Sequence, residues 1–157
     1  EYTRMAWFNH ESDSSFRPII GNSIGNNIDM ALAIYNSKLH FRQYTNTYTS
    51  GTTSGDYGID GTSTFTAGTW NHGAIVVNRS SQSLKIYLNG ELDKSTSINV
   101  IGNSNSTTVM IGGPDSDSYN GARMYDGKVA TAMHYNRELT ADEILQNYLA
   151  TKSRFGL

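Results

Sequence analysis

Hydrophobic and polar residues alternate over many short stretches of this chain, and a period of two is typical of β-strands. Residues 84–88 alternate in this way and run directly into Asn89 and Gly90, a dipeptide that accepts positive φ at both centres of a tight type I′ hairpin turn. Residues 70–77 end in a continuous apolar run and are the predicted partner of residues 84–88. Such patterns predict strands at residues 4–8, 16–20, 30–34, 38–42, 70–77, 84–88, 109–111 and 127–135.

The segments between these strands are rich in Gly, Ser, Thr and Asn, which favour turns and loops. Residues 44–61 have little aliphatic content, so they are either a long surface loop or a weak edge strand. Residues 91–108 are predicted to be a loop, and residues 115–120 a polar loop.

One short helix is predicted near the end of the chain, over about residues 140–152. Thr140 is its predicted N-cap and Glu143 follows three residues later, so the two side chains can form a capping box. Apolar residues recur at helical spacing on one face. That face consists of Ile144, Leu145, Tyr148 and Leu149. We expect it to seal one edge of the packed sheets.

Composition narrows the possible functions. A chain of 157 residues is long enough for one domain, 1–157, with a substantial core. It has no cysteine, which excludes a disulfide framework, a zinc-thiolate site and a cysteine nucleophile. The net charge is −2 and the basic residues are scattered, so nucleic acid is not an expected partner. No apolar run approaches the roughly 20 residues needed to span a bilayer.

The abundance of Gly, Ser, Thr, Asn and Tyr, together with 17% charged residues, suits short strands and turns in an extracellular or virion-surface protein. The chain begins at Glu1, and we expect it to be the C-terminal part of a longer protein.

An ordered set of short motifs runs through nearly the whole chain. The set comprises Ala6-Trp7-Phe8, Leu39-His40-Phe41, Gly68-Thr69-Trp70-Asn71-His72, Leu84-Lys85-Ile86-Tyr87-Leu88-Asn89-Gly90, Met110-Ile111-Gly112-Gly113, Tyr125-Asp126-Gly127-Lys128-Val129, and Tyr135-Asn136-Arg137-Glu138-Leu139-Thr140-Ala141-Asp142-Glu143-Ile144. In this order the motifs resemble the laminin-G-like domains of the concanavalin A-like lectin/glucanase superfamily. The last residues, 147–157, are similar to the C-termini of phage and viral structural proteins.

The resemblance implies an all-β jelly-roll sandwich of two antiparallel sheets. Members of the superfamily bind carbohydrates or proteins at loop rims, often with one calcium, and some distant relatives hydrolyse polysaccharides. Fold alone does not decide among these activities.

Catalysis is not expected. A retaining glycosidase needs two carboxylates about 5–5.5 Å apart. The superfamily's glucanases supply them from a Glu-x-Asp-x-x-Glu pattern, which Glu11 and Asp13 begin, but Phe16 stands where the second Glu belongs. Of the four histidines, His72 and His134 lie in predicted strands and are expected to be structural.

Calcium is the cofactor that the sequence favours, because it binds carboxylate, amide and carbonyl oxygens in loops. The resemblance implies one ligand at Asp29 and a second at Asn103 or Asn105, where the family often has Asp. A second oxygen-rich cluster contains Asp115 and Asp117.

Tyrosines in loop-like segments are the candidates for stacking on sugar rings. They are Tyr44, Tyr48, Tyr57 and Tyr119. Each could equally be a packing residue.

The sequence therefore predicts a non-catalytic, lectin-like domain that binds a glycan or cell-surface receptor and is displayed on a virion or cell exterior. A structural module that packs against other virion proteins or itself is the alternative, and a glycoside hydrolase is a distant third.

Overall fold

Two antiparallel five-stranded sheets form a sandwich in the computed structural model of the chain, which describes residues 1–11, 15–24, 27–44, 56–98, 108–113 and 124–157. The first sheet has the order β10-β1-β6-β7-β8 and the second has the order β5-β4-β3-β2-β9. The strands are β1 Tyr2–His10, β2 Arg17–Ile24, β3 Asn27–Tyr35, β4 Lys38–Tyr44, β5 Asp56–Thr64, β6 Trp70–Asn78, β7 Ser83–Leu88, β8 Glu91–Ser97, β9 Thr108–Ile111 and β10 Gly127–Tyr135. Helix α1, Ala141–Thr151, and a 3₁₀ helix, Lys152–Phe155, follow β10. This arrangement confirms the predicted all-β sandwich with one short C-terminal helix.

The predicted strands are all present, but the prediction of a loop over residues 91–108 is wrong in its first part. Residues 91–97 form strand β8, which pairs with β7 at the edge of the first sheet. The segment is polar because an edge strand with largely exposed side chains needs no apolar alternation. Its pairing is set instead by the turn, where Asn89 and Gly90 both have positive φ, 52° and 84°.

The second half of the segment 44–61 adopts the edge-strand alternative. Residues 56–61 lie in strand β5, which pairs with β4 at the edge of the second sheet. Asp93 on β8 ties this edge to the first sheet, since its carboxylate accepts hydrogen bonds from the backbone N–H groups of Thr62 and Ser63 at 2.8 and 2.9 Å. The bonds fix the position of β5 relative to the rest of the sandwich.

The main core lies between the two sheets, on the face of each strand that alternation predicts. Leu39 and Phe41 of β4 point into it and are fully buried, as are Ala6 and Phe8 of β1. Burial of this apolar area is the main stabilising term for such a sandwich.

Helix α1 covers the outer face of the first sheet, and this corrects the expectation that it seals an edge. Ile144 is fully buried in a cluster with Met5, Ala74 and Val76, which lie on the face of β1 and β6 opposite the main core. Strands β1 and β6 are therefore buried on both faces, which explains the continuous apolar run in residues 74–77. A sheet face offers more apolar area to a helix than a sheet edge does.

Half of the predicted apolar face of α1 remains in contact with solvent. Leu145 is 39% exposed and Leu149 is 49% exposed, whereas Ile144 is buried. Neither helix in the described ranges is long and apolar enough to cross a membrane.

Aromatic contacts hold the helical segment on the sheet. Trp7 is fully buried and stacks on Phe155, with ring centroids 4.2 Å apart, and on Tyr148 at 5.6 Å. Its indole Nε1 donates a hydrogen bond to Thr151 Oγ1 at 2.8 Å. The C-terminal segment is thus anchored on a residue of the first strand.

The predicted capping box is confirmed. Thr140 Oγ1 accepts from the Glu143 backbone N–H at 3.2 Å, and the Glu143 carboxylate accepts from the Thr140 N–H at 2.8 Å. Arg137 also binds this carboxylate through two hydrogen bonds, at 2.7 and 2.9 Å. The hydrogen bond from Arg137, more than any other contact, lowers the pKa of Glu143 to about 2.

Two glycines provide a test of the contact between the β7–β8 turn and helix α1. Gly68 and Gly90 both have positive φ, 78° and 84°, so alanine is strained at either position by about 1 kcal/mol. A Cβ at Gly90 would also lie 2.9 Å from Tyr148 Cδ1, whereas a Cβ at Gly68 meets nothing within 4 Å. We predict that Gly90→Ala lowers the free energy of unfolding in urea by clearly more than Gly68→Ala. Equal losses would show that the turn does not support the helix.

Candidate functional site

The outer face of the second sheet carries a group of aromatic and polar side chains above a floor of small residues. On β4, Leu39 and Phe41 point into the core, so His40 and Arg42 between and beyond them point outward. On the neighbouring strand β3, the outward residues are Ala31 and Ala33. Small side chains beside large ones leave a depression on this face.

The depression is a cavity of about 270 Å³. Its lining residues are Phe16, Tyr35, His40, Arg42 and Gly58. Tyr35 is 38% exposed, so its ring lies at the mouth of the cavity.

His40 stands at the centre of the site and its ring is held on several sides. Its Nδ1 lies 2.7 Å from a carboxylate oxygen of Asp60, which belongs to the neighbouring strand β5. The rings of Phe16 and Tyr35 approach it edge-on, each at a centroid distance of 5.7 Å. A Cβ at Gly58 would lie 2.6 Å from His40 Cε1, so β5 can approach the imidazole this closely only because residue 58 is glycine.

Arg42 brings a permanent positive charge to the site. Its guanidinium carbon lies 4.6 Å from the centroid of the Phe16 ring, within the range of a cation–π contact. The residue is 5% exposed, so the charge lies beneath the surface rather than on a mobile side chain. Together, Arg42, His40 and Asp60 offer hydrogen-bond donors and acceptors next to two aromatic rings.

The remaining histidines occupy packing positions, as the sequence predicted for His72 and His134. His72 is fully buried on the outer face of the first sheet. His134 accepts a hydrogen bond at Nδ1 from Arg4 Nε at 3.2 Å. Burial, followed by the charge of Arg4, lowers the pKa of His134. His10 Nδ1 lies 3.0 Å from the carbonyl oxygen of Asp126.

No group of three or more His, Asp or Glu side chains that could hold a metal ion occurs among the residues that the structure describes. Glu11 is exposed just after β1, while Asp13 lies outside the described residues. The predicted metal ligands Asn103, Asn105, Asp115 and Asp117 also lie outside them. Asp29 is placed in β3, opposite Asn22, but its side chain is not described.

The sugar-binding role of the four tyrosines likewise stays a prediction. Tyr48 and Tyr119 lie outside the described residues, and the side chains of Tyr44 and Tyr57 are not described. Their backbones end β4 and lie in β5, the strands that carry His40 and Asp60.

Sequence reasoning missed the site that the structure forms. A usable signal was present: residues 38–42 alternate polar and apolar, which predicts that His40 and Arg42 share the outward face of one strand. Ala31 and Ala33 at the same spacing predict a shallow floor beside them. The presence of Phe16 and Asp60 in the site could not be predicted in this way. Phe16 lies just before β2, and Asp60 lies on β5, which the sequence left as either a loop or an edge strand. Only the order of the strands in the sheet brings these two residues next to His40.

Comparison with known protein families gives one match over most of the chain. The family is a laminin-G-like one described as part of the concanavalin A-like lectin/glucanases superfamily, and it matches residues 1–145. No curated protein is similar enough to this chain to count as a match.

Solved structures share the fold at low sequence identity. A candidate carbohydrate-binding protein from Bacteroides ovatus has a TM-score of 0.70 and 18% identity, over 94% of this chain and 40% of that protein. The carbohydrate-binding module CBM40 of the Ruminococcus gnavus IT-sialidase, bound to α2,3-sialyllactose, has a TM-score of 0.67 and 19% identity, over 94% of this chain and 82% of the module. The binding domain of botulinum neurotoxin DC, in complex with rat synaptotagmin II, has a TM-score of 0.66 and 15% identity, over 95% of this chain and 35% of that domain.

The chain thus spans less than half the length of the Bacteroides ovatus protein and of the neurotoxin binding domain. At these identities the likeness establishes the sandwich fold and leaves the ligand open.

A substitution at Gly58 tests how the site is held together. In Gly58→Ala the new Cβ forces the His40 ring to move, because the two would otherwise lie 2.6 Å apart. We expect the imidazole nitrogen resonances of His40 to shift in NMR spectra. In the control Gly21→Ala, on the same sheet, the nearest atom to the new Cβ is Ala31 Cβ at 3.0 Å, and His40 should keep its resonances. Unchanged His40 signals in Gly58→Ala would contradict the close approach of β5.

Proposed function

We propose a carbohydrate-binding function for this chain, which belongs to the concanavalin A-like lectin/glucanases superfamily. The binding site is the outer face of the second sheet, around His40. The observation that carries the proposal is the cavity in which Phe16 and Tyr35 flank the His40–Asp60 pair and Arg42.

The chemistry of this cavity matches that of a sugar ring. The C–H faces of a pyranose pack on aromatic rings, and its hydroxyl groups exchange hydrogen bonds with carboxylate, imidazole and guanidinium groups. The volume of about 270 Å³ is near the lower end of the range for small-molecule sites, about 300–1,000 Å³. One sugar residue at the end of a glycan fits such a cavity better than a long stretch of polysaccharide does.

The domain is proposed to act by recognition without catalysis. Structural neighbours include a carbohydrate-binding module with a bound sialylated sugar and a toxin domain bound to a protein receptor. Both are binding domains, which supports a glycan as the first candidate partner and a cell-surface protein as the second. We propose that the domain is displayed outside a cell or on a virion.

We further propose that a calcium ion assists glycan binding. Its site lies at the end of the second sheet where Asp29 stands in β3. The proposal rests on the resemblance of residues 26–32 to the metal-binding segment of laminin-G-like domains. Tyr44 and Tyr57 remain candidate sugar contacts, since their strands also carry His40, Arg42 and Asp60.

A structural module that packs against neighbouring proteins is the second candidate function. Exposed apolar side chains favour it: Leu92 on β8 is 55% exposed, and Leu145 and Leu149 on α1 are partly exposed on the side opposite the sugar site. A large exposed apolar surface is typical of protein contacts.

A glycan array with and without a calcium chelator separates these proposals. Binding to a defined set of terminal sugars supports the lectin function, and its loss with chelator supports the calcium site. No glycan signal in either condition, together with self-association of the chain in sedimentation experiments, would favour the structural module.

Substitutions at the cavity of the second sheet and on helix α1 test where the sugar binds. We predict that Tyr35→Ala weakens binding of the best array glycan at least about fivefold in calorimetric titrations, because an aromatic contact is worth about 1 kcal/mol beyond the area that it buries. Phe16→Ala should cause a similar loss, since it removes an aromatic ring that lines the cavity and contacts Arg42.

Leu149→Ala, on the opposite side of the molecule, is the matched control and should bind as the wild type does. If both aromatic variants keep wild-type affinity for a glycan that the array identifies, the sugar binds elsewhere on the domain.

A further inference from the structure

We propose that His72 makes the attachment of the C-terminal helical segment sensitive to acid. On protonation of His72, residues 141–155 leave the outer face of the first sheet while the two-sheet sandwich stays folded. This inference concerns the opposite side of the molecule from the sugar site and does not depend on the proposed function.

The position of His72 is unusual for a titratable group. It is fully buried on β6, and its ring lies 5.3 Å from that of Trp7 and 6.0 Å from that of Tyr148. Neither ring nitrogen has a hydrogen-bond partner among the residues that the structure describes. The imidazole is therefore enclosed between a residue of the sheet and a residue of the helix.

A proton on this ring would be poorly accommodated. An imidazolium carries two N–H donors and a charge, and burying them without partners is costly. On the helical side the ring faces Tyr148, and the ammonium of Lys152 lies 5.7 Å from the centroid of that tyrosine ring. From β1 and from the β7–β8 turn, the neighbours are Trp7 and Asn89, which are uncharged.

Burial lowers the pKa of His72 from 6.5 to about 4, in agreement with this geometry. Because burial disfavours the protonated ring and solvent does not, protonation leaves the attachment unaffected above pH 6.5, the ordinary pKa of histidine. The attachment weakens as the pH falls from there toward 4.

Residues 141–155 can detach while the sandwich stays folded, because none of their side chains belongs to the main core. That core lies on the other face of β1 and β6, where Phe8 and Ile75 point toward the second sheet. Among the residues of α1, Ile144 alone is fully buried. Exposure of Met5, Trp7, Ala74 and Val76 after release would give the sheet a new apolar face.

Hydrogen–deuterium exchange of the whole chain tests the proposal. Between about pH 7.5 and pH 5, after correction for intrinsic exchange rates, the opening equilibrium of residues 141–155 should rise about 30-fold. Amides of β3 and β4 should keep their protection. The variant His72→Phe fills the same space without titrating and should abolish the rise, and His72→Gln serves in case the larger ring disturbs packing.

His134→Gln is the matched histidine control, because His134 lies in the same sheet and its pKa is also lowered. It should retain the 30-fold rise. The proposal fails if exchange of residues 141–155 does not depend on pH, if the His72 variants retain the full rise, or if β3 and β4 lose protection in parallel.

Discussion

The arrangement of the two outer surfaces depends on the burial of strands β1 and β6 on both faces. One face packs on the second sheet and the other packs under the C-terminal helix, so the two strands are enclosed by apolar neighbours on each side. Trp7 is central to the outer contact, since it stacks on Phe155 and Tyr148 and binds Thr151. Because the helix covers the first sheet, the second sheet is the one whose outer face, among the described residues, is open to a ligand.

That open face is suited to recognition because its side chains are fixed by their surroundings. His40 is held by Asp60 and by two aromatic edges, and Arg42 lies against Phe16. Asp93 ties the edge strand β5 to the first sheet, so the carboxylate of Asp60 comes from a strand with a fixed position. A preorganised site loses less entropy when it binds a ligand. Solved structures that contain this fold include a module bound to a sugar and a toxin domain bound to a protein, so the fold alone does not determine the ligand.

The two outer faces of the sandwich therefore have different properties. The second sheet presents polar and aromatic groups around a small cavity. The first sheet hides an apolar surface beneath a helix whose attachment includes a buried, unpaired histidine. The proposed recognition site and the proposed acid-sensitive contact thus lie on separate surfaces of the sandwich.

Local interactions are what the sequence by itself determined. The alternation in residues 38–42 and 84–88, the turn at Asn89 and Gly90, and the capping box of Thr140 and Glu143 all involve residues close in the chain. For this reason they could be predicted from spacing. The tertiary structure decided the features that depend on residues far apart in the chain. It places α1 on a sheet face and makes an edge strand of the polar residues 91–97. It also brings Phe16, His40 and Asp60 together. Sheet order brings such residues together through contacts between segments far apart in the chain, and a pattern with a period of two carries no information about which strands will be neighbours.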